Sequence, residues 1–163
     1  MKNIKIAIAV CMLLVLSGCG KSNEIDYSKT NTIKFHNLVV ELPQAFVNDE
    51  ENSNDDIVFY SYEAEDKYDG CMVYFAISNY PKDDLKEAIQ QEFYEKHDWS
   101  YSEKNINGNK WAIGYRKESE KFNQSFYVIN KDGKEYSFSF DDFGSGERCS
   151  EALKHIENSL KFN

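Results

Sequence analysis

"KFNQSFYVINKDGKEYSFSF", Lys121 to Phe140, is the stretch that decides the fold. In its second half Tyr136, Phe138 and Phe140 alternate with Glu135, Ser137 and Ser139. A period of two is the period of a strand, and it separates an apolar face from a polar one. Between the halves stands Lys131-Asp132-Gly133. Aspartate tolerates and glycine freely adopts the left-handed backbone of a tight turn. The stretch predicts an antiparallel hairpin with one buried face and one wet face.

The same pattern continues upstream. "WSYSEKNINGNKWAIGYRKE", from Trp99, contains Asn107-Gly108, the strongest short hairpin signal. Trp111, Ile113 and Tyr115 alternate with Lys110, Ala112, Gly114 and Arg116. Four antiparallel strands in a row are therefore expected. Earlier still, "IVFYSYEA" and "CMVYFAISNY" are β-branched and aromatic runs joined by "EDKYDG", with turn chemistry at Asp69-Gly70. Cys71, Val73, Phe75 and Ile77 share one face of the second run, and Met72, Tyr74 and Ala76 share the other. "TIKFHNLVVELP" reads as two short strands around His36-Asn37, stopped by Pro43.

Two segments change the period. After Pro81, Asp84 and Glu87 have the spacing of a capping box. Leu85, Ala88, Ile89 and Phe93 then fall on one helical face, which predicts a helix over about Asp84 to Lys96. Near the end, Leu153, Ile156 and Leu160 form a short apolar stripe, with Ser150 placed as its N-cap. Read from periodicity, the chain is α+β: a mostly antiparallel sheet with two covering helices, both on the sheet's apolar side. Residues 32–163 form one domain.

This order of elements, together with "LVVELPQAF", "INGNKWAIGY", "YVINKDGKEYSFSF" and "IENSLKF", resembles the PsbP-like fold. The group includes photosystem extrinsic proteins, a nuclear Ran-binding import factor and bacterial lipoproteins. The resemblance covers roughly Thr32 to Phe162. It implies an α/β/α sandwich around an antiparallel sheet, and adaptor or assembly roles more often than enzymatic ones. The chain departs from the group in lacking a Trp near Phe46 and in carrying an acidic loop from Asn48 to Asp56.

The N-terminus has the layout of an export signal. Lys2 and Lys5 precede "IAIAVCMLLVL", an apolar run from Ile6 to Leu16. A membrane-spanning helix needs about 20 such residues, so the run suits a signal and not a span. It ends Leu16-Ser17-Gly18-Cys19, which resembles the bacterial lipobox. The resemblance implies that Cys19 is alkylated with diacylglycerol and that residues 1–18 are removed. Two acyl chains give a stable anchor where one is marginal. Residues 19–31 then read as a lipidated polar tether. The expected address is the extracytoplasmic face of the cell membrane.

The full chain of 163 residues carries a formal net charge of −9. Loss of the two lysines ahead of Cys19 leaves 17 basic residues against 28 acidic ones, a net −11. Such a surface repels nucleic acid, so no nucleic-acid partner is expected. With Cys11 removed and Cys19 lipidated, Cys71 and Cys149 remain. Two readings stay open for them: a disulfide, worth about 4–5 kcal/mol in the chain-entropy model, or two separate buried thiols.

Catalytic and metal-binding signatures are sparse. His36, His97 and His155 have no partner at metal-ligand spacing. The acidic loop lacks the spacing of a calcium-binding EF-hand. Gly144-Ser145-Gly146 is one residue short of a nucleophile elbow. No catalytic residue, metal or cofactor is assigned. The functional signal is aromatic, with eleven Tyr and eleven Phe. Tyr60, Tyr62, Tyr74 and Tyr127 alternate with Phe59, Phe75 and Phe126. They are read either as one exposed patch for protein contact or as cross-strand packing. The expectation is an exported, lipid-anchored, non-catalytic binding or assembly protein that meets the membrane through Cys19 and an envelope protein through its surface. The alternatives are an envelope hydrolase and a solute- or ion-binding lipoprotein.

Overall fold

The computed structural model describes residues 25–63, 70–93, 98–119, 122–144 and 147–163. Cys19, the signal segment, His97 and Ser145 lie outside them. The strands are β1 (Thr30–Phe35), β2 (Leu38–Pro43), β3 (Val47–Asn48), β4 (Ile57–Glu63), β5 (Gly70–Ser78), β6 (Trp99–Ile106), β7 (Asn109–Ser119), β8 (Phe122–Lys131), β9 (Lys134–Asp142) and β10 (Lys161–Phe162). Helix α1 (Leu85–Phe93) follows β5, and α2 (Glu147–Ser159) follows β9.

The strands form two sheets. Seven run in the order β3-β4-β5-β9-β8-β7-β6, and three in the order β1-β2-β10; every strand pair is antiparallel. The turns obey their local chemistry. His36 (φ 53°), Asn107 (φ 49°) and Asp132 (φ 52°) take the left-handed backbone; Gly108 and Gly133 follow the last two in the same region. That is the twist a two-residue hairpin needs.

The main core lies on the α2 side of the large sheet. Val73, Phe75, Phe138, Phe140, Tyr127 and Trp111 meet Ile156, Ala152 and the β2 residues Leu38, Val40 and Leu42 there. Phe138 stands at its centre. Its ring stacks on Tyr127 at 4.1 Å and meets Phe75 at 5.8 Å and Trp111 at 5.7 Å. Phe162 of β10 closes the layer, with its ring 6.0 Å from that of Trp111 and 5.0 Å from that of Tyr136. Cys71 of β5 and Cys149 of α2 are joined by a disulfide, their Cα atoms 5.8 Å apart.

Helix α1 covers the opposite face. Its Ala88, Ile89 and Phe93 pack on Ala112, Phe126 and Val128. The periodicity reading, with both helices on one side, is therefore corrected: the helices lie on opposite faces. The supposedly wet set of β9 is covered as well, with Ser137 and Ser139 buried. Asp84 caps α1, accepting bonds from the Lys86 and Glu87 backbone N–H groups at 2.8 and 3.4 Å. Ser150 is not the N-cap of α2. The helix begins at Glu147, and the Ser150 hydroxyl donates back to the Glu147 carbonyl at 2.9 Å.

The domain also begins earlier than residue 32. Ile25 is buried in the main core, and the Tyr27 hydroxyl donates to the Arg148 carbonyl at 3.2 Å. Residues 25–31 thus belong to the fold and not to a free tether. Burial pushes the Tyr27 phenol up to about 12, helped by the negative charge of Glu151.

Gly114 sets the position of α1. A Cβ there would overlap the Ile89 and Phe93 side chains, so the missing side chain lets the helix settle close over β7. Replacement by valine should cost about 1–3 kcal/mol through overpacking, read as a lower urea midpoint at an unchanged m-value. An unchanged midpoint would mean that α1 is not held at this distance.

Candidate functional site

Because α1 sits over β7 and β8, it leaves β4, β5 and part of β9 open on the same face. The result is a groove of about 580 Å³. Its floor is Ala76 and Ser137, which are cross-strand partners and both small. One wall is α1, through Ala88, Gln91 and Glu92; the other is Ile57 and Phe59 of β4. Tyr74 and Phe126 line its inner end, and Lys82 and Glu135 its outer end. The volume falls within the range of about 300–1,000 Å³ typical of ligand sites.

Its polar groups are fixed in place. The Tyr74 hydroxyl donates to Glu92 Oε1 at 2.6 Å, and its ring lies 5.3 Å from that of Phe59. Burial, and then the negative charge of Glu92, drives the Tyr74 phenol well above its ordinary range, so it remains a neutral donor. Glu135 accepts a bond from the Lys82 backbone N–H at 3.1 Å. The Lys82 ammonium is engaged by Gln91 and lies 3.7 Å from Glu87.

Beside the groove a polar chain runs under cover. Gln124 Nε2 donates to Ser139 Oγ at 3.1 Å, and Ser139 Oγ donates to Asp141 at 3.0 Å. All three residues are buried. Burial above all lifts the Asp141 carboxyl to about 6, with a smaller push from the charge of Glu92, against the hydrogen bonds of Ser139 and Gln124 and the charge of Arg116. Sequence reading missed this chain because Ser139 and Asp141 occupy the polar positions of the alternation. The available signal was Gly114, a residue without a side chain in the middle of a strand, which marks close approach by another element.

The sequence-derived candidates are dispersed. Tyr60, Tyr62 and Tyr127 lie on the α2 face and Tyr74 on the α1 face, because Tyr60 pairs with Val73 and Tyr127 with Phe138. Tyr127 is buried and donates to Glu157 at 2.9 Å; Lys104 reaches the same carboxylate at 2.7 Å. Tyr60 and Tyr62 are half-buried against the main core. The four tyrosines do not make one exposed patch; they are packing residues on two faces. In the acidic loop, Asp49 binds the Asn52 side chain at 2.7 Å, and Asn54 Oδ1 accepts from the Asp56 and Ile57 N–H groups. These side chains shape the loop's own turns. Among the described residues no three His, Cys, Asp or Glu side chains gather as a metal site, and no helix is long and apolar enough to cross a membrane.

Asp141 gives the fold a testable pH dependence. Its folded value stands above the ordinary 3.8, so its charged form disfavours folding. That cost is complete above about pH 6 and is relieved as pH falls through the window between the two values. Asp141→Asn should raise the unfolding free energy at pH 7 by about 1–3 kcal/mol. Denaturant titrations across pH should show that advantage shrinking to near zero by pH 4. A constant offset would contradict the assignment.

No protein-family model matches the chain, and no curated protein matches it. Solved structures do. A protein of Bacteroides thetaiotaomicron aligns with a TM-score of 0.51 and 14% identity over 83% of this chain. The chain spans about half of that protein's length, 48%. The solution structure of a cyanobacterial PsbP (CyanoP) from Synechocystis aligns with a TM-score of 0.56 and 11% identity, covering 91% of this chain and 99% of that one. The chain has a PsbP-like α+β fold, built of mostly antiparallel sheets with two helices among the described residues.

Proposed function

We propose that the chain is an exported protein of the bacterial cell envelope, anchored by lipid on Cys19, which binds or assembles with a partner and carries out no catalysis. The observation that carries this reading is the Cys71–Cys149 bridge. Structural disulfides belong to oxidising compartments, and the Met1–Cys19 segment has the layout that would deliver the chain to one. The bridge ties β5 to the first turn of α2, so the main core would be stapled in the compartment where the protein works. The binding role draws on the groove, whose hydrogen-bonded polar groups stand beside aromatic walls. The same groove supports the alternative of a solute-binding lipoprotein as a second reading.

Mass spectrometry of the protein from membranes tests the anchor. The N-terminal peptide should begin at Cys19 and carry a diacylglyceryl mass. A peptide retaining residues 1–18, or an unmodified Cys19 thiol, would refute it. Non-reducing peptide mapping of the same sample should recover the peptides of Cys71 and Cys149 linked. In-cell crosslinking should add a discrete envelope protein; recovery of the chain alone would count against an assembly role.

A further inference from the structure

We propose that the groove beside α1 is a site for a small amphipathic organic cation, an aromatic or aliphatic body carrying an ammonium group. The inference rests on the solute-binding reading and names its ligand. Two features select this chemistry. The walls include the aromatic rings of Phe59 and Tyr74 and the apolar side chains of Ile57 and Ala76. Such surfaces hold an apolar body, and aromatic faces attract cations. The charged groups at the groove are Glu92 and Glu135 against Lys82, inside a chain of net charge −9.

The state of those three groups gives the sign. The Lys82 ammonium is engaged by Gln91 and lies 3.7 Å from Glu87, so carboxylate already offsets its charge and the excess at the groove is negative. Glu92 accepts one hydrogen bond from Tyr74, and Glu135 accepts one from the Lys82 backbone. A carboxylate has about four acceptor sites, so both retain capacity for a donor. An incoming ammonium supplies three donors and offsets the excess negative charge. An incoming carboxylate would face two like charges in a partly enclosed site. Tyr74 holds Glu92 at the inner end, so the charged head would lie there with the body along Ala76.

The test uses the full chain in nonionic detergent, with ligand-observed NMR titrations referenced to detergent alone. The probes are 2-phenylethylamine and phenylacetate, which share a ring and differ in the sign of the head. The amine should bind saturably, and the carboxylate at least tenfold more weakly. Glu92→Gln should weaken amine binding at least about tenfold, the scale of a lost charge-assisted hydrogen bond. Ala76→Phe should abolish binding by filling the floor, while Glu151→Gln on α2 should leave it unchanged. Circular dichroism would confirm that each variant is folded. Equal binding of both probes, native-like amine binding by folded Glu92→Gln, or no saturable amine binding below about 10 mM would overturn the proposal. Lipid on Cys19 with no amine binding would remove the ligand and leave the anchor; amine binding without lipid would do the reverse.

Discussion

The register of β9 is the constraint on which the rest depends. Pairing with β5 and β8 places Phe138 opposite both Phe75 and Tyr127. The Asp132-Gly133 turn fixes that pairing on one side, and the β5 ladder fixes it on the other. A slip of one residue would exchange the faces, moving Ser137, Ser139 and Asp141 into the main core and Tyr136, Phe138 and Phe140 out of it. Loss of the stacked cluster around Phe138 would cost far more than any local relief. One register therefore produces two results: a dry aromatic core toward α2, and a sheltered polar row toward α1.

The two faces are covered unequally. Toward α2 the cover is a helix of thirteen residues with a three-stranded sheet beside it. Toward α1 it is the nine residues Leu85–Phe93. The described part of that helix shields only part of the seven-stranded sheet, and Gly114 lets it settle close over β7. The uncovered part is the groove. The same asymmetry explains the Asp141 environment. The carboxyl is buried and held by hydroxyl and amide groups, with the charge of Arg116 a lesser influence. A sheltered, hydrogen-bonded carboxyl resists ionisation without being forced fully neutral.

What was legible in the sequence was local. Asn107-Gly108 and Asp132-Gly133 specify their turns through backbone freedom, and Asp84 caps α1 through one side chain. What was illegible was long-range. A period of two shows that a strand has two different faces, but not which helix lies on each. Tyr74 and Tyr127 could be assigned to faces only once Tyr74 was paired with Ser139 and Tyr127 with Phe138. Ile25 stands in a polar segment, yet it is buried in the main core, and its neighbour Tyr27 bonds Arg148 of α2 more than a hundred residues later. Cys71 and Cys149 carry no distance information in sequence; the sheet and α2 bring them to 5.8 Å between Cα atoms. The groove combines all these choices, so no single stretch announces it.

The fold also separates its two ends. Along β5 and β9, Cys71 pairs with Asp142 at one end and Ser78 with Glu135 at the other. Seven residues of strand span roughly 23 Å. The described chain starts near the Cys71 end, where Tyr27 meets Arg148 at the start of α2, and the groove is lined along β5 from Tyr74 to Ser78. With Cys19 lipidated as proposed, Ile25 follows the anchor so closely that the connecting backbone reaches about 20 Å at full extension. That reach is close to the length of the strand pair itself, so an anchor there would hold the domain near the surface without fixing which end faces the membrane. A cation with a modest apolar body, as proposed, would draw on the aromatic wall and on the carboxylates at once.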